Sequence, residues 1–293
     1  MTERLAAMQA RVQAVRDLSS VVNAMRGMAA ARLEQARGRM RAMRAYADVV
    51  DSALRTGLTL EGLAAPQASP AKRRALVYFC AEQGFAGPFS ERVLDAAPDL
   101  RADDWVVLVG TRGRSVAADR ARAIAWSVAM PARVQGLARL ADQIVERLAP
   151  GIAQGEFDQL DVVFTACAQG MPLQVRTEAL LPLPAPARGS TPLPPLPLTQ
   201  LPPRALLFDF VAAHLHAGVY CAALRAFEAE AQARMETMAA AHRHIDQELA
   251  ALQGIWQQMR QEDITAEIVE LAAGQLAFQP RRRRVHKPTS MQS

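Results

Sequence analysis

Two glycine turns are the segments of this chain best suited to chemistry, because each follows a short apolar run and precedes a helix-like stretch. They are residues 84–87 (GFAG) and 110–113 (GTRG). A strand-to-helix turn can hold a phosphate, but a dinucleotide site needs three glycines as G-x-G-x-x-G, and a P-loop needs Gly-Lys-Ser/Thr. Neither pattern is complete. The turns therefore predict tight chain reversals and no bound nucleotide or other cofactor.

The histidines are the next candidates, since imidazole is a common metal ligand. They form two close pairs, His214 with His216 and His242 with His244. Residues two apart on a helix point to nearly opposite sides, so neither pair can chelate a metal. His242 shares a helix face with Asp246, but two ligands are too few. The pattern predicts no metal site.

Nucleophiles are scarce as well. The cysteines, Cys80, Cys167 and Cys221, are far apart in the sequence and are typical of buried thiols in a reducing compartment. No serine or cysteine lies in a recognisable nucleophile motif. Glu267 and Glu270 fall on one side of a helix, which is the usual arrangement of a solvated or partner-binding face. The sequence predicts no catalytic residue.

Composition and charge limit the class of protein. The chain has 293 residues, of which 51% are apolar and 22% charged, and this excludes wholesale disorder. No window approaches about 20 unbroken apolar residues, so no membrane span is expected. Residues 1–57 hold ten arginines against five acids, and 280–293 hold five basic residues and no acid. Such basic ends suit nucleic acid, anionic lipid or an acidic protein surface. The N-terminus lacks an apolar signal core, which favours a cytoplasmic protein.

Proline divides the chain into segments. None occurs before Pro66 or between Pro203 and Pro280, whereas nine of the 18 fall within 182–203. The predicted segments are an N-terminal coiled-coil helix over 1–65, a central α/β domain over 72–181, a Pro-rich linker over 182–203, a C-terminal coiled-coil helix over 204–279, and a basic, disordered tail over 280–293.

Both terminal segments show the apolar spacing of long helices, with steps of three and four residues. Continuous helices would be about 80 Å and about 110 Å long, too long for a compact globule of this size. Each must cover an apolar stripe, and the other helix is the nearest partner. This predicts an antiparallel pair. The C-terminal stripe consists of Phe227, Ala231, Met235, Met238, Ala241, Ile245, Leu249, Leu252, Trp256 and Met259.

The middle segment alternates strand-like and helix-like stretches. Apolar runs at 75–80, 105–109 and 160–165 are typical of buried strands. The stretches between them, at 89–97, 114–122 and 137–149, have helical patterns. This order predicts a small parallel sheet with right-handed crossovers. The expected fold is therefore mixed α+β, a long antiparallel coiled coil with a central Rossmann-like α/β lobe.

Several of these segments resemble the gamma subunit of F-type ATP synthases. Residues 21–32 (VVNAMRGMAAAR) with 46–47 are similar to the first-helix signature of that family. Residues 230–238 (EAQARMETM) and 256–270 (WQQMRQEDITAEIVE) are similar to its last-helix signature, and the turn 84–87 fits its Gly-x-x-Gly turn. The resemblance covers nearly the whole chain, about 1–279.

Some positions depart from the family pattern, which is typical of a divergent bacterial member such as one of the alternative N-type ATPase group. Arg26, for example, stands where the family usually has an acid. The tail 280–293 also runs past the family's usual end. The departing positions are Asn23, Arg26, Gly27, Ser90, Gln257 and Gln258.

The resemblance implies a central rotor shaft that does no chemistry itself. It would turn inside a hexamer of alpha and beta subunits, with the catalytic nucleotide sites on beta, and so couple ion flow to ATP synthesis or hydrolysis. Its foot, formed by the α/β lobe and the lower parts of the helices, would contact the epsilon subunit and the c-ring of the membrane sector. It would therefore be a peripheral protein on the cytoplasmic face of the bacterial inner membrane. Whether protons or sodium ions drive the ring, and which direction prevails, is left open.

The expected rotor–stator contacts lie where the longer helix outruns its partner and on the first-helix signature. Their side chains are polar or adaptable and are not needed to cover the shorter helix. The candidates are Met25, Arg26, Arg260, Gln261, Thr265, Glu267 and Glu270. A second interpretation, a coiled-coil adaptor or nucleic-acid-binding protein that uses the basic termini, predicts binding that weakens steeply with salt.

Overall fold

The structure is a computed structural model that describes residues 2–60, 73–96, 100–101, 103–120, 123–167, 171–183 and 201–277. Two long helices flank a mixed α/β region. The helices are α1 Thr2–Leu60, α2 Phe89–Asp95, α3 Thr111–Asp119, α4 Leu137–Ala153 and α5 Pro203–Ala277. The strands are β1 Arg74–Phe79, β2 Trp105–Val109, β3 Trp126–Val128, β4 Gln159–Ala166 and β5 Gln174–Leu181.

The chain forms two compact units, Asn23–Ala240 and Met1–Val22 with Ala241–Ser293. The first unit contains a five-stranded sheet in the order β3-β2-β1-β4-β5. Strands β1 to β4 are parallel, as the strand–helix alternation predicts, and β5 is antiparallel to β4. The expectation of a purely parallel sheet is wrong at this edge. The turn between β4 and β5 is too short for a helical crossover, so β5 runs back along β4.

Both faces of the sheet are covered, which explains why β1 is apolar at every position from Ala75 to Phe79. Ala75, Val77 and Phe79 belong to a core shared with α1, α4 and α5. Leu76 and Tyr78 point to the opposite core, which α2 and α3 complete. The alternation of side chains along a strand therefore divides one short apolar run between two cores.

Helices α1 and α5 run antiparallel within the Asn23–Ala240 unit. Arg37 Nε lies 3.2 Å from Glu228 Oε1, and Asp51 Oδ1 lies 2.8 Å from His214 Nδ1. Positions that rise along α1 thus meet positions that fall along α5. The buried stripe of α1 passes through Ala29, whereas the neighbouring Met28 is 60% exposed.

Glycine positions in α5 do not interrupt the helix, in agreement with the prediction of one continuous segment. Gly218 is a point of close approach, because a Cβ there would lie 2.4 Å from Leu180 Cδ2 of β5. Gly254 has open space around it. Packing therefore requires a glycine at position 218 but not at position 254.

By length and composition alone, α5 reaches the threshold for a membrane span. The stretch Ala205–Ala273 contains an 18-residue window of mean hydropathy 1.4, of which 33% is buried. The sequence expectation counted unbroken apolar runs and did not anticipate this. A helix that belongs to a protein core passes the same test, and Val219, Ala222 and Leu224 of α5 are fully buried in the core on one face of the sheet.

The number and the bounds of some predicted elements differ from those in the structure. Strands β3 and β5 were not predicted, because β3 is only three residues long and β5 is exposed at half of its positions. Helix α3 begins at Thr111, three residues before the predicted start. Residues 184–200 of the Pro-rich linker predicted over 182–203, and the tail 280–293, lie outside the described residues. The segment bounds predicted from proline stay predictions.

Candidate functional site

The carboxyl ends of β1 and β2 are where a parallel sheet of this kind would hold a phosphate. The carboxylate of Glu82 occupies this position instead. It accepts hydrogen bonds from the backbone N–H of Thr111 at 3.0 Å, from the Thr111 hydroxyl at 2.5 Å and from the Met130 N–H at 2.8 Å. The amino terminus of α3, which favours an anion, is thus already neutralised by the chain itself.

Glycine makes this arrangement possible. Gly110 has a φ of 101°, and a Cβ there would lie 2.5 Å from the carbonyl oxygen of Cys80. Gly113 packs against Cys80, where a Cβ would come within 2.3 Å of the cysteine Cβ. The glycines of 110–113 therefore serve backbone conformation and helix packing, in agreement with the prediction of a tight turn.

The other turn, 84–87, is held by α5. Glu230 and Arg234 are both 5% exposed and form an ion pair. The Arg234 guanidinium also donates to the carbonyl oxygens of Gln83 at 3.5 Å and Gly84 at 3.4 Å. Ser90 is buried and its hydroxyl accepts a hydrogen bond from the Ala81 N–H at 3.1 Å. The last-helix signature thus has a structural role in the Asn23–Ala240 unit.

Three of the five histidines each meet one carboxylate. His214 pairs with Asp51 at 2.8 Å, His216 Nε2 lies 3.1 Å from an oxygen of Asp142, and His242 pairs with Asp246 at 2.8 Å. Among the described residues, no three His, Cys, Asp or Glu side chains are grouped as metal ligands.

The cysteines are free thiols with different environments. Burial raises the pKa of Cys80 to about 12 and also raises the pKa of Cys221. Cys167 is half-buried, in contrast to the expectation that all three are buried, and its pKa is also raised by partial burial. High thiol pKa values are typical of unreactive cysteines.

The unit built from the chain ends contains the C-terminal part of α5. Val12 of α1 and Leu252 of α5 are buried there, and Arg11 Nη2 lies 3.6 Å from Glu248 Oε1. Val12 and Trp256 also line one small cleft. The predicted seam residue Ile245 is buried, whereas Leu249 is half-buried.

Beyond this packed stretch, α5 has no cover among the described residues. Every residue from Ile264 to Ala273 is exposed. Ile264, Ile268 and Leu271 are 49%, 60% and 65% exposed, and their steps of four and three residues place them on one helix face. We call Arg260–Ala273 the α5 tip. An exposed apolar stripe rimmed by polar side chains is typical of a surface that binds another protein.

The predicted contact residues of the α5 tip border this stripe. Helical spacing places Arg260 and Glu267 along one edge and Gln261 along the other. The Arg260 guanidinium lies 5.5 Å from the centre of the Trp256 ring. The Thr265 hydroxyl donates to the Gln261 carbonyl oxygen at 2.8 Å. These contacts are local, and the side chains of Gln261 and Glu267 have no hydrogen-bond or ion-pair partner among the described residues. Glu270 is exposed on the far side.

Two further candidates lie on α1. Met25 is half-buried, and Arg26 is exposed and donates to Asn23 Oδ1 at 2.9 Å. They belong to the Asn23–Ala240 unit, whereas the α5 tip belongs to the other unit.

Comparison with solved structures shows similar folds in mitochondrial ATP synthases. The chain is similar to a chain of the Euglena gracilis mitochondrial ATP synthase structure of OSCP, F1 and c-ring, with a TM-score of 0.65 and 14% identity over 100% of both chains. It is also similar to a chain of the Tetrahymena thermophila mitochondrial ATP synthase central stalk and c-ring, with a TM-score of 0.55 and 19% identity, covering 75% of this chain and 99% of that one. The fold is that of a central stalk.

Sequence comparison gives the family. A family model described as ATP synthase matches residues 4–278. The ATP synthase gamma chain of Kineococcus radiotolerans is 26% identical, covering 94% of this chain and 96% of the relative, and that of Chlorobaculum parvum is 26% identical, covering 90% and 95%. The chain belongs to the ATP synthase gamma-chain family, as the helix signatures indicated.

Proposed function

We propose that this chain is the central-stalk gamma subunit of a bacterial F-type ATP synthase and works as a non-catalytic rotor. It couples ion flow through the membrane sector to ATP synthesis or hydrolysis by rotation. Its family membership, over residues 4–278, supports the role of central stalk. The Glu82 carboxylate at the strand ends is consistent with a chain that leaves nucleotide chemistry to other subunits.

The proposed partners are the alpha and beta subunits around the α5 tip, and the epsilon subunit and c-ring at the foot. The exposed stripe of Ile264, Ile268 and Leu271 is the observation that carries the first contact, because it is apolar and uncovered within the described residues. Apolar contacts have no preferred direction, so an apolar stripe can rotate against the surrounding subunits with little free-energy cost at any angle. The location that follows is peripheral, on the cytoplasmic face of the bacterial inner membrane.

The polar side chains that border the stripe make some rotational positions of the helix more favourable than others. Arg260 and Gln261 can form forked and amide hydrogen bonds, each worth about 1–3 kcal/mol when charge-assisted. Thr265, Glu267 and Glu270 extend the polar surface along the same helix. Met25 and Arg26 are proposed as further contacts on α1. Bonds of this size hold a rotational position and are still released by the free energy of one catalytic event.

The test is the double substitution Arg260→Ala with Gln261→Ala. Both residues are exposed, so we expect the helicity and stability of the isolated subunit to stay within about 0.5 kcal/mol of the parent. In the complex assembled with its alpha and beta subunits, we expect lower ATP turnover or weaker coupling to ion flow. The control is Gln35→Ala with Arg39→Ala, which are also exposed and lie on α1.

Copurification tests the role itself. A stalk subunit captures alpha and beta subunits, whereas an adaptor or nucleic-acid-binding protein does not. If the Arg260 and Gln261 variant turns over ATP normally and still captures the alpha and beta subunits, the stalk role stands. The proposal that these two residues contribute to it would then be wrong. Failure to capture alpha and beta subunits would contradict the stalk role.

A further inference from the structure

A cavity of about 560 Å³ lies in the Asn23–Ala240 unit, where α1, the β4–β5 hairpin and α5 meet. Its volume is within the range of small-molecule sites. Five arginines from three elements line it. No sequence motif predicted that they would lie together. They are Arg37, Arg41 and Arg44 of α1, Arg176 of β5 and Arg225 of α5. We call this cavity the arginine pocket.

Two of the five guanidinium groups already have carboxylate partners. Arg37 lies 3.2 Å from Glu228 and 3.2 Å from Glu34. Arg225 lies 2.5 Å from Glu178 and 5.6 Å from the centre of the Phe164 ring. These contacts fix both side chains in the wall of the pocket.

The remaining three do not. Arg41, Arg44 and Arg176 are exposed, and none has a carboxylate within ion-pair distance in the part of the chain that the structure describes. With three carboxylates set against five arginines, the pocket keeps a net charge of +2. Like charges in one concavity repel each other, and the low-dielectric walls concentrate their field, so the pocket attracts a counter-anion.

We propose that the arginine pocket binds a multiply charged phosphate group, as in pyrophosphate or the phosphate tail of a nucleotide. A guanidinium is a planar fork that matches two phosphate oxygens, and three free forks on converging elements can engage one polyanion together. Met40 and Ala166 supply an apolar floor that strengthens these contacts by excluding water. This site shares no residue with the ends of β1 and β2, where Glu82 takes the anion position.

The choice of phosphate over an acidic protein segment follows from shape and charge. A concave pocket with a net +2 suits a compact dianion or trianion, whose charges lie a few ångströms apart. Carboxylates along a peptide are spread further, and each brings a single charge. The pocket and the α5 tip share no residue, so this inference is independent of the proposed stalk contacts.

The test uses calorimetric titration of the full chain at low ionic strength with pyrophosphate, ATP, adenosine and poly-glutamate. We expect saturable binding of pyrophosphate that weakens as salt rises. ATP binding with similar affinity assigns the nucleotide's phosphates as a second source, and failure of ATP to bind restricts the site to the free anion. Adenosine should not bind. No saturable binding of pyrophosphate, or binding of poly-glutamate as tight as that of pyrophosphate, would overturn the proposal.

Variants connect the binding to the pocket. Arg44→Gln with Arg176→Gln should weaken pyrophosphate binding at least about tenfold, and circular dichroism establishes that the variant is folded. Arg176→Lys keeps the charge but loses the fork, so its affinity should fall between those of the parent and the double variant. Arg39→Gln is the matched control, since Arg39 is an exposed α1 arginine outside the pocket.

A second readout does not depend on heat. Cys167 is half-buried and lines the pocket. Bound pyrophosphate should slow its alkylation in the parent and in Arg39→Gln, but not in Arg44→Gln with Arg176→Gln. Equal alkylation rates with and without pyrophosphate in the parent would contradict binding at this place, whatever the calorimeter records.

Discussion

The buried ion pair between Glu230 and Arg234 gives a quantitative test of how α5 holds the lobe. Both residues are only 5% exposed, so both charges are removed from water. Arg234→Met removes the cation and leaves the Glu230 carboxylate buried without its partner. Breaking a buried pair on one side typically costs about 3–5 kcal/mol, and we expect a loss of this size in the free energy of unfolding.

The double substitution Glu230→Met with Arg234→Met separates the pair from its surroundings. It removes both charges, so no carboxylate is stranded. What remains is the loss of two long hydrogen bonds to the carbonyl oxygens of Gln83 and Gly84, at 3.5 and 3.4 Å. We therefore expect the double variant to lose only about 1–2 kcal/mol, less than Arg234→Met alone.

Urea unfolding followed by circular dichroism and by tryptophan fluorescence measures these changes. Two of the three tryptophans, Trp105 and Trp126, belong to the sheet, so most of the fluorescence change should come from the unit that contains the pair. Arg243→Met is the control, since Arg243 is an exposed arginine of α5, and it should change stability by less than about 0.5 kcal/mol. A loss below about 1 kcal/mol for Arg234→Met, or a double variant as unstable as the single one, would refute the argument from desolvation.

Three further predictions concern single positions. In differential scanning calorimetry, Gly254→Ala should stabilise the protein by about 1 kcal/mol, because its surroundings are open, and Gly218→Ala should destabilise it by about 1–3 kcal/mol through overpacking; equal effects would contradict the packing at Gly218. At about pH 8, iodoacetamide should modify Cys167 well before Cys80, whose pKa is about 12, as mass spectrometry would detect; the reverse order would be unexpected. Burial raises the pKa of Asp161, so the folded state binds its proton more tightly and stability is lost as pH rises from the unfolded pKa through the raised one; Asp161→Asn should therefore gain stability relative to the parent as pH rises above about 4 in urea unfolding, and a difference that does not change with pH would contradict it.

Local patterns were sufficient to predict the elements that depend on local physics. The steps of three and four residues in α5 predicted a helix that crosses Gly218 and Gly254, since backbone hydrogen bonds in a helix are made four residues away and a single glycine costs only about 1 kcal/mol. The apolar runs at 75–80 and 105–109 predicted β1 and β2, because a strand covered on both faces is apolar throughout. The helix signatures indicated the gamma-chain family, which the family comparison confirms.

The candidate contacts of the α5 tip were also available from the sequence, although their role stays a proposal. Arg260, Gln261 and Thr265 stood out because they are polar and follow the apolar seam. The structure adds that Ile264, Ile268 and Leu271 form an exposed stripe between them. The sequence shows that these residues are apolar, but only packing decides whether an apolar face is covered.

Only the tertiary structure determined the contacts between residues that are far apart in the chain. Strand β5 has little apolar signal of its own, and it forms because β4 offers it an unpaired edge. Glu82 meets Thr111 and Met130 only once the sheet has brought three loops together. The five arginines of the arginine pocket come from α1, β5 and α5, up to 188 positions apart between Arg37 and Arg225. Helical and strand periods are properties of neighbouring residues and can be read from the sequence, whereas charge density in a cavity depends on which elements pack together, and that is determined only by the folded core.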